Sequence, residues 1–140
     1  MSNADILIID DEPRLCKSLE PLLSGQGWGV RSAGSGGEAR KFLSRHRFDI
    51  VLVDLFLPDV SGQVLMEDIL EKEPDTSIIV MTGNASVETA VNTLKKGAYD
   101  YLRKPFEPAE LIRTVTNALE RKLLEEENQE IRHRLDASMR

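Results

Sequence analysis

The sequence predicts an α/β fold, with a five-stranded parallel sheet covered on both faces by five helices. Three observations lead there. Five short apolar runs alternate with five stretches of helical periodicity along 140 residues. The third run, Ile50-Val51-Leu52-Val53, contains no polar residue, as a strand buried on both faces requires. Residues that start and stop helices fall where the period changes.

Taken in order, Ile6 to Ile9 is the first strand. Pro13 suits the first turn of a helix running to about Ser24, with Leu15, Cys16, Leu19, Leu22 and Leu23 on one side; Gly25 and Gly27 end it. Trp28 to Ala33 is the second strand. Ser35 followed by Glu38 has the form of a capping box and opens a helix through about Leu43. Asp49 to Val53 is the third strand. After a loop holding Pro58 and Gly62, a helix reaches about Glu71. Ser77 to Met81 is the fourth strand. Ser86 caps a helix to about Lys96, which Gly97 ends. Tyr99 to Leu102 is a short fifth strand, and the last helix begins near Pro108.

Composition narrows the function. Apolar residues make up 41% and charged residues 30%, enough for a core inside a soluble surface. Aromatics are only 5%, so that core is aliphatic. A net charge of -6 argues against direct nucleic-acid or anionic-membrane binding, which needs clustered Lys and Arg. The single cysteine, Cys16, excludes an internal disulfide and reads as a small buried hydrophobe. No apolar run approaches a membrane span, and no signal-peptide pattern is visible, so a cytoplasmic location is expected. His46 and His133 lack partners at metal-ligand spacing and are expected at the surface.

In an open parallel sheet, ligands bind beyond the carboxyl ends of the strands. The residues there are Asp10, Asp11 and Glu12 after the first strand, Asp54 at the end of the third, Thr82 and Gly83 after the fourth, and Lys104-Pro105 after the fifth. Three aspartates on one edge repel one another unless a cation intervenes. Hard carboxylate oxygens suit Mg2+, and Lys104 supplies a fixed positive charge for a phosphoryl oxygen. A carboxylate can attack phosphorus to give an acyl phosphate. Each residue alone has a plainer reading: Asp10 and Asp11 suit a helix N-terminus, and Thr82-Gly83 is an ordinary turn. The joint pattern carries the specificity.

That pattern resembles the receiver domains of response regulators over about residues 4 to 122. The resemblance rests on Ile6 to Glu12, Val53 to Gly62, Met81-Thr82-Gly83, and Lys96 to Phe106. It implies a flavodoxin-like, doubly wound sheet of strand order 2-1-3-4-5. It also implies that Asp54 takes a phosphoryl group from a sensor histidine kinase. By the same resemblance, Asp11, Asp54 and the main-chain carbonyl of Phe56 ligate Mg2+, Asp10 acts through a bound water, and Lys104 contacts the phosphoryl group. Thr82 and Tyr101 form the switch, read out by the helix from Ser86 and the fifth strand. The Lys104-Pro105 bond is expected cis. Such a domain is a phosphoacceptor with slow self-dephosphorylation, not a turnover enzyme.

From Ala109 to Arg140 there is no Gly or Pro. A helix of that span is about 48 Å long, against a domain width of about 30 Å, so its end should project. Leu111, Ile112, Val115, Ala118 and Leu119 face the sheet; Leu124, Asn128, Ile131 and Leu135 then follow a heptad rhythm. Residues 1–122 are therefore read as the receiver. Residues 123–140 are read as a coiled-coil linker, and a homodimer through this helix and a receiver face is expected. This tail, with Met81 to Ala85 and Lys95 to Tyr101, resembles the NtrC-type subgroup, whose receivers are joined to a AAA+ ATPase and a DNA-binding domain acting with sigma-54 polymerase. A receiver of another output class, or a stand-alone one, is the alternative. A haloacid-dehalogenase-like phosphatase is disfavoured because Phe56 stands where its second aspartate belongs. A flavin binder is disfavoured because Asp10-Asp11-Glu12 repels phosphate.

Overall fold

The computed structural model describes residues 4–83 and 86–138. The elements are β1 (Asp5–Ile9), α1 (Pro13–Ser24), β2 (Gly29–Ala33), α2 (Gly36–Arg45), β3 (Ile50–Asp54), α3 (Gly62–Lys72), β4 (Ser77–Thr82), α4 (Val87–Lys95), β5 (Asp100–Arg103) and α5 (Pro108–Ser138). They form one parallel sheet of order β2-β1-β3-β4-β5, as the resemblance implies. Asn84, Ala85 and the last two residues, included in the expectations above, lie outside the described residues.

Local chemistry explains most boundaries. Pro13 occupies the first turn of α1, where a missing N–H costs nothing. Gly25 stays right-handed, and Gly27 makes the left-handed turn with φ 92°. Ser35 and Ser86 cap α2 and α4, accepting from Glu38 N–H and Thr89 N–H at 3.1 Å each. Gly97 leaves α4 with φ 115°. Helix α2 runs two residues past the expected Leu43, and β4 includes Thr82 rather than stopping before it.

Two aliphatic layers sandwich the sheet. On one face, Ile6, Ile8, Ile50, Leu52, Ile79 and Met81 meet α1 and α5 through Cys16, Leu19, Leu23, Leu111, Val115 and Ala118. On the other, Leu7, Ile9, Val51, Val53, Ile78 and Val80 meet Ala39, Leu65, Met66 and Ile69 of α2 and α3. Every residue of β3 is buried, the two-sided burial its unbroken run foretold. Each fully buried Ile or Leu stabilises by about 1.5–3 kcal/mol relative to exposure. The strand ends therefore stand on a rigid platform.

Helix α5 has two halves. Its first half packs on the sheet. Arg121 then lies over the Tyr99 ring at 4.9 Å, and Lys122 Nζ donates to Asp49 Oδ1 at 3.0 Å. Beyond them Leu123, Leu124, Ile131 and Leu135 are all more than half exposed. Among the described residues, no helix is long and apolar enough to cross a membrane.

Candidate functional site

Strand register assembles the site. Ile9 pairs with Val53, so Asp10 and Asp54 leave adjacent strands at the same level. Asp54 pairs with Met81, which puts Thr82 one residue further along β4. Thr82 pairs with Arg103, and the Lys104 N–H donates to the Thr82 carbonyl at 3.0 Å. Residues from β1, β3, β4 and β5 thus meet at one edge although they span most of the chain. The Lys104–Pro105 bond is cis.

Lys104 organises the acids. Its Nζ donates to Asp10 Oδ2 at 2.6 Å, Asp54 Oδ2 at 3.0 Å and Glu12 Oε1 at 3.4 Å. The Asp10 side chain is fully buried and that of Asp54 nearly so, while Glu12 reaches into solvent. Each buried aspartate commits its other oxygen to a backbone N–H two residues on. Asp10 Oδ1 accepts from Glu12 at 2.9 Å, and Asp54 Oδ1 from Phe56 at 3.0 Å. A short Asx turn follows each strand and holds each carboxylate in place. The plainer reading of Asp10 as a helix cap does not hold: Glu12 is the N-cap of α1 and makes no side-chain capping bond, and Asp10 takes the N–H of Glu12 itself.

Burial pushes the Asp10 carboxyl above its ordinary range, against the opposing pull of Lys104. Burial alone would lower the Lys104 pKa, but hydrogen bonds to Asp10 and Asp54 outweigh it and hold the ammonium above its ordinary range. Lys104 is accordingly a permanent cation among acids. Burial also raises the Cys16 thiol, whose Sγ lies 3.6 Å from the Asp10 carbonyl; it is a neutral core group.

Asp10, Glu12 and Asp54 each offer a carboxylate oxygen, all within 4.8 Å of one another. An all-oxygen, acid-rich set of this kind fits a hard divalent cation. Asp11 is exposed and stands outside that group. The Phe56 side chain is 58% exposed at the rim, beside the site. Thr82 is fully buried, and Tyr101 is half-buried against the second core layer.

Sequence reasoning placed Glu12 at the strand ends without giving it a role, and did not single out Asp59, which braces the loop beside the site. Glu12 had a signal, since it follows the acid pair directly. Asp59 had none. It lies in the loop between β3 and α3, and its two oxygens accept the N–H groups of Gly36 and Gly37 at 2.8 and 2.9 Å. Those partners are 23 and 22 residues earlier in the chain.

Comparison with known proteins identifies the family and the fold. Residues 6–116 match the family model described as "Response regulator receiver domain". The chain is 38% identical over 135 residues to the response regulator protein PilR of Pseudomonas aeruginosa, covering 96% of this chain and 30% of PilR. It is 39% identical over 117 residues to the transcriptional regulatory protein ZraR of Escherichia coli, covering 84% of this chain and 26% of ZraR. Among solved structures, NtrX from Brucella abortus superposes with a TM-score of 0.88 at 30% identity, over 94% of this chain and 30% of NtrX. A CheY-like receiver domain protein from Methanospirillum hungatei superposes with a TM-score of 0.84 at 32% identity, over 89% of this chain and 99% of that one. This chain thus spans less than a third of the length of PilR or ZraR. With the sheet order, the acids at the ends of β1 and β3, and the lysine after β5 all in place, the chain belongs to the response regulator receiver domain family, the phosphoacceptor signalling domains of two-component systems.

Proposed function

We propose that Asp54 accepts a phosphoryl group from a sensor histidine kinase in a Mg2+-dependent reaction, and that the modified domain controls a transcriptional output. One observation carries this reading: a single ammonium, Lys104, bridges carboxylates delivered by two adjacent strands, Asp10 at 2.6 Å and Asp54 at 3.0 Å. Carboxylates buried this closely need compensating positive charge, which Lys104 supplies in part and a divalent cation would complete. The receiver resemblance assigns the acceptor role to Asp54, whose strand β3 lies between β1 and β4.

In the transfer, an Asp54 carboxylate oxygen forms a bond to phosphorus as the bond from phosphorus to the donor imidazole nitrogen breaks. That nitrogen keeps the electron pair. Lys104 turns its hydrogen bonds from the free carboxylate towards a phosphoryl oxygen, and Asp10 keeps the ammonium in position. When bound, Mg2+ neutralises the acids and the incoming phosphoryl oxygens. By the receiver resemblance, Asp11, Asp54 and the Phe56 carbonyl would hold it, and Asp10 would act through a bound water. Glu12 joins this set because of its place in the acid cluster.

The phosphoryl group adds charge and acceptor oxygens at the edge, and the Thr82 hydroxyl turns to meet it. Tyr101 then packs inward. Readout falls to β5 and α4, which leaves Val87, Val91 and Leu94 exposed at helical spacing. Residues 1–122 act as the receiver and 123–140 as a linker that pairs in a dimer. The output is a sigma-54-dependent AAA+ activator in the cytoplasm, a reading supported by the NtrC-type resemblance and the likeness to PilR, ZraR and NtrX.

The test is intact mass after incubation with acetyl phosphate and Mg2+. Wild type should gain one phosphoryl group, and Asp54→Asn none. Equal uptake by both would overturn the assignment.

A further inference from the structure

The loop between β3 and α3 carries Phe56, the residue whose carbonyl the proposed metal site uses. How that loop is held therefore bears on the chemistry. Its near end is closed locally: the Phe56 N–H donates to Asp54 Oδ1, Phe56 and Ser61 form an isolated bridge, and the Gly62 N–H donates to the Leu55 carbonyl at 2.9 Å. A side chain at Gly62 would collide with the Asp54 carbonyl at 2.1 Å, so the loop returns directly onto the acceptor residue.

Its far end is anchored to a different element. Both Asp59 oxygens accept N–H groups from the first turn of α2, at Gly36 and Gly37. These are donors that a helix start leaves without partners of its own. Ser35 serves a third, Glu38 N–H. Gly36 is also closed to larger residues, because a Cβ there would lie 2.2 Å from Val60 Cγ1. Loop and helix start are thus fitted at backbone distance, and the paired N–H groups lower the Asp59 carboxyl below its ordinary range.

We infer that Asp59 is a positioning residue for the phosphorylation site, clamping the loop after Asp54 to the N-terminus of α2 so that the Phe56 main chain is pre-set for the metal. This rests on the phosphoacceptor reading above. Asp59 touches neither the acids nor Lys104; it acts only through the loop. The arrangement makes α2 a structural support for the site from the neighbouring part of the fold.

The test compares wild type, Asp59→Ala, Asp59→Asn and Ser35→Ala. The last variant removes a cap from the same helix start while leaving the loop anchored. Mg2+ affinity is measured by calorimetry without a phosphodonor, amide exchange of residues 55–61 in metal-free protein, and the rate and half-saturating Mg2+ of modification by acetyl phosphate. Asp59→Ala should weaken Mg2+ binding several-fold, raise the half-saturating Mg2+ more than it lowers the saturated rate, and speed exchange in the loop. Asp59→Asn, which keeps one acceptor oxygen, should recover part of the loss, and Ser35→Ala should bind Mg2+ as wild type does. Wild-type affinity in Asp59→Ala, or equal losses in Asp59→Ala and Ser35→Ala, would overturn the inference. Failure of wild type to take up phosphate would instead remove the phosphoacceptor reading, while the affinity and exchange data would still judge the clamp.

Discussion

The carboxyl edge of the sheet and the free half of α5 both hold groups in surroundings that disfavour them. At the edge, charge is buried: Asp10 and Asp54 lie almost out of solvent. On the free half of α5, apolar surface is exposed, with Leu123, Leu124, Ile131 and Leu135 all in water. The difference is where the remedy sits. The edge is compensated in part within the domain, by Lys104 and by backbone donors. On the helix, the flanking pairs Arg121–Glu125 and Arg134–Glu130 tie solvated neighbours one turn apart, and the four side chains stay more than half exposed. At the edge, buried charge is met by buried donors; on the free half of α5, apolar side chains meet solvent.

The comparison breaks most severely at Lys104. Lys104→Ala leaves two buried carboxylates facing each other without a cation, and should destabilise the metal-free protein by about 3 kcal/mol in urea titrations. Added Mg2+ should restore much of that loss. Unchanged stability would mean that the acids are better solvated than their burial implies.

On the helix, Ile131→Lys should weaken self-association about tenfold in sedimentation equilibrium, equivalent to about 1.4 kcal/mol. The melting temperature of the receiver should hardly change, since the side chain is 53% exposed. Equal association of wild type and variant would show that this seam is not the interface.

The smallest effect is expected at Asp10, where burial and Lys104 act in opposite directions. Its folded carboxyl titrates above the ordinary value of 3.8, so over that interval the native state binds more protons than the unfolded chain. The contribution of Asp10 to stability is therefore present below 3.8 and lost as pH rises through the raised folded value. Metal-free wild type should lose stability relative to Asp10→Asn as pH increases from about 4 upward. A gain with pH would show that Lys104, not burial, dominates at this carboxyl.

The fold was legible because each element announces itself locally. The apolar row of β3 needs no partner to be recognised, and Pro13, Ser35, Ser86 and Gly97 mark helix ends by backbone chemistry that acts within a few residues. Asp10, Asp54, Thr82 and Lys104 were legible for a second reason: a parallel sheet sends all its strand ends to one edge, so their place follows from the order of elements. Asp59 was not legible. A loop acid beside Pro58 looks like any turn residue, and only the packing of the loop on α2 reveals its two donors.

By itself, then, the sequence determined the alternation of strands and helices, the aliphatic core and the set of chemical groups delivered to the strand ends. Those depend on periodicity and on contacts close along the chain. Tertiary structure alone decided that one ammonium would join three carboxylates, that the Glu12 carboxylate would come within reach of it, and that α2 would brace the loop after Asp54. Hydrogen bonds and ion pairs act over about 3 Å. Which residues come within that reach is set by strand register and loop packing, and neither is written in the spacing of residues along the chain.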